Sequence, residues 1–170
     1  MLIYQIVPTT PRLEELIYLV AASTSKNNGH IEYSADGGKT FVYDKSDESM
    51  ALGREYFDNL WSTVQRAVTG VKLEKPERRP TVLRLEKGRL VIHDVGVIIP
   101  IRSCNDTFEQ DNIDIKSGDD HYSTRLAPQT IIVISGGLSE DVSVEISARV
   151  PFDLILHPKS PLTAPKGSAT

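Results

Sequence analysis

The stretch between residues 129 and 157 constrains the fold of this chain more than any other. Residues 131–134 form a continuous apolar run, and residues 142–147 and 152–157 each carry apolar side chains at every second position. A period of two is typical of strands that bury one face, and Ser135 followed by two glycines is a typical turn. We therefore predict three strands here, and we expect them to form the core of a sheet.

Two amphipathic helices are predicted before that core, at about residues 11–22 and 47–69. Thr10 can cap the first helix, with Pro11 at its first position, where the missing N–H costs nothing. The second helix follows Ser46 and has apolar residues at helical spacing, namely Phe57, Leu60, Trp61, Val64 and Val68.

The helices and the short strands around them predict an α+β fold. We expect a predominantly antiparallel β-sheet or sandwich with the two helices packed on it. The order of elements up to Glu86 also fits a ferredoxin-like unit. The spacing of the later strands, every eight to twelve residues, favours the sandwich.

Length and composition predict one domain in a reducing compartment. A chain of 170 residues fits a single domain, which we place at residues 1–158, and the Pro-, Ser- and Thr-rich residues 159–170 predict a flexible tail. The single cysteine, Cys104, excludes an internal disulfide framework and favours the cytoplasm, or a virus particle assembled there. No apolar run approaches the roughly 18 residues that a membrane span needs, so we expect a soluble protein.

Glycine-containing turns predict two hairpins. The first lies around Asp36 in a segment of the form S-x-D-x-G-x-T-F, from Ser34 to Phe41. This segment resembles the Asp-box turn in the propeller blades of sialidase-type proteins, and the resemblance implies a structural turn rather than an active site. The second hairpin is predicted between residues 81–86 and 89–95. Residues 104–128 lack a regular pattern, so we expect a long loop there, with at most a short strand at its centre.

Two segments of opposite charge are candidates for binding. The basic segment could hold an anion or a partner through Lys72, Lys75, Arg78, Arg79, Arg84, Lys87 and Arg89. The acidic loop could contact a partner through Asp106, Glu109, Asp111, Asp114, Asp119 and Asp120. Because the net charge is −4, a general nucleic-acid-binding surface is not favoured.

No set of residues predicts an enzyme. The histidines do not stand at metal-ligand spacing, and His157 alternates outward from its strand. No nucleophile, base and charge-stabilising group occur together. We therefore expect no catalytic residue, no metal and no cofactor. The alternative is an enzyme whose metal is held by carboxylates of the acidic loop.

These features favour a non-enzymatic structural or assembly protein that self-associates, such as a component of a virus or phage particle. The opposed charges of the two segments would let copies pair head to tail, so we expect a homo-oligomer or a complex with other protein subunits. The alternative function is a small binding module that holds nucleic acid or a phosphorylated ligand on the basic segment.

Overall fold

A computed structural model describes residues 3–103, 111–135 and 143–161 of the chain. Its strands, in chain order, are β1 (Tyr4–Pro8), β2 (Gly29–Tyr33), β3 (Lys39–Tyr43), β4 (Val71–Leu73), β5 (Thr81–Lys87), β6 (Leu90–Ile92), β7 (Val95–Pro100), β8 (Asn112–Ser117), β9 (Asp120–Arg125), β10 (Thr130–Ser135), β11 (Val144–Ala148), β12 (Phe152–His157) and β13 (Lys159–Pro161). Its helical segments are α1 (Pro11–Thr24), α2 (Asp47–Glu55), a π-helical turn (Tyr56–Leu60) and α3 (Trp61–Ala67).

These strands form three sheets in which neighbouring strands run antiparallel. The large sheet has the order β1-β10-β7-β12-β5-β3-β2, the small sheet has the order β6-β11-β8-β9, and β13 pairs with β4. The predicted α+β class, with mainly antiparallel sheets, is confirmed.

Two apolar cores separate three layers. One core lies between the helices and the large sheet and includes Leu13, Ile17 and Val133. The other lies between the two sheets and includes Ile132 and Phe152. Because the middle strands of the large sheet bury both faces, they contain apolar residues at successive positions. This explains the continuous apolar run that opens β10.

From β5 to β12 the chain passes repeatedly between the large sheet and the small sheet. The strands β5 and β6 lie in different sheets, so the predicted second hairpin is wrong, and β10 and β11 are separated in the same way. The turn between β5 and β6 contains Gly88 at φ +89°, a conformation that glycine adopts without steric cost. The residues of a turn determine that the chain reverses its direction there. Which sheet the next strand joins depends instead on the core in which that strand buries its apolar face.

Part of the predicted acidic loop is a hairpin. The strands β8 and β9 pair across residues 112–125 and turn at Gly118, which has φ +58°. In β8 only the alternate residues Ile113 and Ile115 are apolar and fully buried, and the polar residues Asn112, Asp114 and Lys116 occupy the other face. The short strand expected at residues 113–116 is therefore present as β8, whereas the irregular loop expected after it is wrong because β9 is also a strand. Residues 104–110 lie outside the described residues.

Both predicted helical regions are present. The Leu13 N–H donates to the Oγ1 of Thr10 at 3.1 Å, as expected of a cap. The second region is a continuous run of α2, the π-helical turn and α3. A π-helical turn shifts the phase of the buried stripe, because its hydrogen bonds span five residues instead of four. No described helix is long and apolar enough to cross a membrane.

The turn at Asp36 has the form that its resemblance implies. The Gly38 N–H donates to the Oδ1 of Asp36 at 3.1 Å, and Gly37 has φ +85°. The Ser34 hydroxyl also donates to this carboxylate. These contacts serve the turn itself, so the segment acts as a hairpin connection.

Candidate functional site

The space between the two sheets is filled by apolar side chains. Seven of the largest contributors have no exposed area, namely Ile98, Ile113, Ile115, Ile132, Ile134, Ile146 and Phe152. A binding site in such a space would need polar groups that converge on an open volume. The described residues between the sheets instead form a packed core.

The most extensive buried polar contact joins the last strand of the large sheet to the second helical region. The Nδ1 of His157 lies 2.8 Å from the Glu74 carbonyl oxygen, and its Nε2 lies 2.7 Å from the Tyr56 hydroxyl. A carbonyl oxygen can only accept, so Nδ1 carries the proton and Nε2 accepts from the hydroxyl. Burial lowers the pKa of His157 and raises the pKa of Tyr56, so both groups are neutral.

Aromatic rings enclose this pair. The Trp61 ring centroid lies 5.2 Å from that of His157, and Phe57 contacts the rings of both Tyr56 and Trp61. The prediction that His157 points outward is wrong, because β12 lies between two cores and buries both faces. A buried neutral pair with all partners satisfied acts as a structural link between sheet and helix.

Removing the tyrosine hydroxyl is expected to destabilise the fold. The substitution Tyr56→Phe leaves the Nε2 of His157 buried without a donor, which costs about 1–3 kcal/mol. Urea denaturation at pH 7.5 measures the change. The matched control Tyr33→Phe removes a hydroxyl from a residue that is 75% exposed, and its effect should stay below about 0.5 kcal/mol. Equal losses of stability for Tyr56→Phe and Tyr33→Phe would contradict the buried hydrogen bond from Tyr56 to His157.

Asp153 is the second unusual buried group. It is 1% exposed, and its Oδ1 has no hydrogen-bond partner among the described residues. Burial raises the pKa of its carboxyl from 3.8 to about 7, although a hydrogen bond from the Leu154 backbone acts in the opposite direction. Its cross-strand neighbours are Val82 and Ile99, so it lies inside the large sheet on the side of the helices.

Three of the seven cations of the basic segment form ion pairs with nearby acids among the described residues. Ion pairs join Arg84 to Glu86 at 2.8 Å, Arg89 to Glu145 at 3.0 Å and Lys72 to Glu74 at 4.0 Å. The remaining cations of the segment, Lys75, Arg78, Arg79 and Lys87, are exposed. The structure does not bring the seven cations together at one site, and their role in binding stays a prediction.

The acidic loop is also paired within the chain. The Oδ2 of Asp111 accepts from Arg102 at 3.3 Å and from Arg125 at 3.0 Å. Burial raises the pKa of its carboxyl, but the two arginines together outweigh burial, so the pKa is lowered. Asp114, Asp119 and Asp120 are distributed along the β8–β9 hairpin. Asp106 and Glu109 lie outside the described residues. Within the described ranges, no three His, Cys, Asp or Glu side chains come together as a metal site.

The strand β2 is an open edge of the large sheet. All five of its residues are exposed, including Ile31 at 39% and Tyr33 at 75%. Backbone hydrogen bonds from Asp44 to Asn28 and from Ser34 to Gly38 flank its pairing with β3. Because hydrogen-bonded pairs alternate along an antiparallel ladder, Ile31 and Tyr33 direct their backbone N–H and C=O groups away from β3.

The overall fold is similar to that of solved prolyl hydroxylases. The chain is similar to a prolyl-4-hydroxylase of Pseudomonas putida, with 10% identity, a TM-score of 0.55, and coverage of 93% of this chain and 94% of the other. It is also similar to a Trichoplax adhaerens prolyl hydroxylase in complex with a peptide fragment of the hypoxia inducible factor oxygen degradation domain. That match has 8% identity, a TM-score of 0.58, and coverage of 91% and 83%. The chain has the prolyl hydroxylase fold. No protein-family model and no curated protein sequence matches it.

This fold overturns the expected function. A structural or assembly protein of a virus or phage particle is wrong, because the strands form the fold of the hydroxylases along almost the whole chain. The alternative of a small module built around the basic segment is wrong for the same reason. Each charged segment also forms ion pairs with other parts of the same chain, the basic segment through Arg89 with Glu145 and the acidic loop through Asp111 with Arg102 and Arg125.

The described residues do not fit the metal site that hydroxylation chemistry implies. Non-haem iron oxygenases hold their metal with two histidines and one carboxylate. The four histidines here lie apart: His30 on β2, His93 after β6, His121 on β9 and His157 against the helices. The described part of the chain has no group of three suitable ligands. We therefore derive no hydroxylation step from this structure.

Sequence reasoning missed Tyr56 and Asp153. The signal for Tyr56 was the spacing of Leu52, Tyr56, Leu60 and Val64, which are all buried. The signal for Asp153 was its place in a strand whose other residues are almost all apolar, a pattern that indicates burial of both faces.

Proposed function

We propose that this chain is a polypeptide-binding domain, and that the β2 edge pairs with an extended segment of a partner protein. The observation that carries the proposal is the outward direction of the backbone groups of Ile31 and Tyr33 on an edge strand that is exposed throughout. An extended peptide can add a strand to such an edge and gain main-chain hydrogen bonds.

The side chains of β2 define the kind of segment that fits. Ile31 and Tyr33 lie on one face, beside Phe41 of β3, and present exposed apolar area. His30 and Glu32 lie on the other face and contact each other at 2.9 Å. Cross-strand neighbours of like character stabilise a sheet. The partner segment should therefore alternate apolar residues, which face Ile31 and Tyr33, with polar ones.

The shared fold supports a polypeptide as the ligand class. One of the two similar proteins was solved with a peptide fragment bound. Binding without hydroxylation is proposed here, because the described residues do not form a metal site. The proposal therefore rests on main-chain pairing and apolar contact alone.

Blocking the outward N–H of Ile31 is expected to weaken peptide binding. The probe is a fluorescein-labelled nine-residue peptide with Val and Tyr at alternate positions and Thr and Lys between them, followed by fluorescence anisotropy. The substitution Ile31→Pro removes one donor, worth about 1–1.5 kcal/mol, so the Kd should rise roughly five- to tenfold. Proline is tolerated at an edge position whose N–H does not pair within the sheet.

Two controls separate main-chain pairing from other effects. The substitution Ile31→Val keeps the donor and a β-branched side chain, so its Kd should stay within about twofold of the original. A version of the peptide N-methylated at its Val and Tyr residues, whose N–H groups face β2, keeps its side chains but should bind at least roughly tenfold more weakly. Equal binding of the two peptides would overturn the proposal. A dimer in sedimentation that Ile31→Pro converts to a monomer would also overturn it, because β2 would then pair with a second copy of this chain.

A further inference from the structure

We propose that a second site, the cationic pocket, binds a small organic anion with an apolar body. The cationic pocket lies between α2 and the segment that leads into β5, and its volume is about 320 Å³. Three cations, Lys45, Arg54 and Arg79, line it together with the apolar side chains of Met50, Phe57 and Pro80. This site goes beyond the proposed peptide-binding edge and does not depend on it.

The three cations carry uncompensated charge. Among the described residues, no acidic side chain lines the cationic pocket. None of the three forms an ion pair with a described residue, whereas Arg84 and Arg89 each pair with a glutamate. They come from three separate segments: the connection before α2, α2 itself and the segment before β5. Cations that converge on a cavity without acids attract an anionic group and gain charge-assisted hydrogen bonds from it.

The apolar part of the lining selects the body of the ligand. Phe57 is held by ring contacts with Tyr56 and Trp61, so one wall of the cationic pocket is fixed before any ligand binds. Met50 is 41% exposed and can adapt to different shapes, because its side chain is flexible. A volume of this size accommodates a small aromatic or aliphatic body. The ligand class is therefore a carboxylate or sulfonate carried on an apolar group.

This site differs from a surface that binds polyanions. Arg79 is the single member of the basic segment in the cationic pocket, and its neighbour Arg78 does not line it. A polyanion held by the whole segment would depend on both arginines. An anion held in the cationic pocket depends on Arg79 and not on Arg78, and this difference provides a matched pair of variants.

The test uses 8-anilinonaphthalene-1-sulfonate, an anion with an aromatic body, and measures its fluorescence and its heat of binding. We expect one site per chain. The substitution Arg79→Gln should weaken binding roughly three- to tenfold, and Arg54→Gln should do the same. The control Arg78→Gln removes an equal charge from the adjacent residue and should change the Kd less than about twofold. Circular dichroism checks that each variant is folded, and each arginine substitution tests the site independently.

The neutral analogue N-phenyl-1-naphthylamine completes the experiment. It has the same aromatic body without the sulfonate, so it should bind at least roughly tenfold more weakly if the cations select the anion. Equal binding of the two probes would overturn the proposal, as would equal weakening by Arg78→Gln and Arg79→Gln. The substitution Ile31→Pro should leave binding of the sulfonate unchanged, which separates this site from the β2 edge.

Discussion

Replacing Asp153 with asparagine is expected to stabilise the protein at pH 8 by up to about 4 kcal/mol. Burial raises the pKa of the Asp153 carboxyl from 3.8 to about 7, and each pKa unit corresponds to about 1.4 kcal/mol. Asparagine keeps an acceptor for the Leu154 N–H and carries no charge that must be buried. The value is an upper limit, because the fold can relax around an ionised carboxylate.

The pH dependence gives the sign of this effect. Between about pH 4 and pH 7 the folded state holds the Asp153 proton and the unfolded state releases it, so the free energy of unfolding falls as the pH rises. The asparagine variant lacks this fall. The difference between the two proteins should therefore be small at pH 4, grow up to about pH 7 and stay constant above it.

Urea denaturation of both proteins at pH 4, 5.5, 7 and 8.5 measures the difference. The lowered pKa of His157 also makes the free energy of unfolding depend on pH, but it does so equally in both proteins. This contribution therefore cancels when the two proteins are compared at the same pH. The control Asp58→Asn changes an exposed residue and should alter stability by less than about 0.5 kcal/mol at every pH. A difference for Asp153→Asn that does not grow with pH would show that the carboxyl is not held protonated.

The sequence predicts those features of the fold that depend on local chemistry. Thr10 and Ser46 cap helices as expected, and the turn at Asp36 forms from residues next to each other in the chain. The apolar run that opens β10 indicates a strand at once. In each case the atoms that decide the structure lie within a few residues of one another, so a pattern can reveal them.

Features that depend on the sheet order could not be predicted in this way. The turn before β6 looks like a hairpin turn, but the chain there changes sheets. Arg89 and Glu145 are 56 residues apart in the chain and form an ion pair only because β6 and β11 are neighbours. The π-helical turn at residues 56–60 could not be predicted either, because period-based reasoning assumes a regular helix, and both Tyr56 and Phe57 pack against the core there.

The same limit applies to the candidate sites. The cationic pocket combines Lys45, Arg54 and Arg79 from three segments, and only the packing of α2 beside β5 brings them together. The charge of residues 72–89 indicated too broad a binding surface, because Arg79 alone of its seven cations lines the cationic pocket, while Arg84 and Arg89 form ion pairs elsewhere. The outward backbone groups of β2 follow from its place at the edge, which the sequence of the hairpin does not reveal.

Truncation of Phe152 is expected to be among the most destabilising single substitutions. Phe152 has no exposed area, and it lies between the sheets, opposite Leu83 on β5 and Pro100 on β7. The substitution Phe152→Ala removes the ring and leaves a cavity in a packed core, which costs about 3–5 kcal/mol. Urea denaturation at pH 7.5 measures this loss. The control Leu156→Ala, on the same strand, truncates a side chain that is 38% exposed and should cost less than about 1.5 kcal/mol.

The size of this loss distinguishes a packed core from a ligand-binding cavity between the sheets. In a protein that uses this space to hold a ligand, open volume is already present, and a truncated side chain forfeits few contacts. In a packed core, every contact of the ring is lost and the new cavity stays dry, so it should bind an apolar probe such as benzene. A loss below about 1 kcal/mol for Phe152→Ala would therefore place a ligand site between the sheets. A loss of about 3–5 kcal/mol, together with benzene binding to Phe152→Ala but not to the original protein, would show that the space between the sheets is a packed core. The β2 edge and the cationic pocket would then remain as the candidate binding sites.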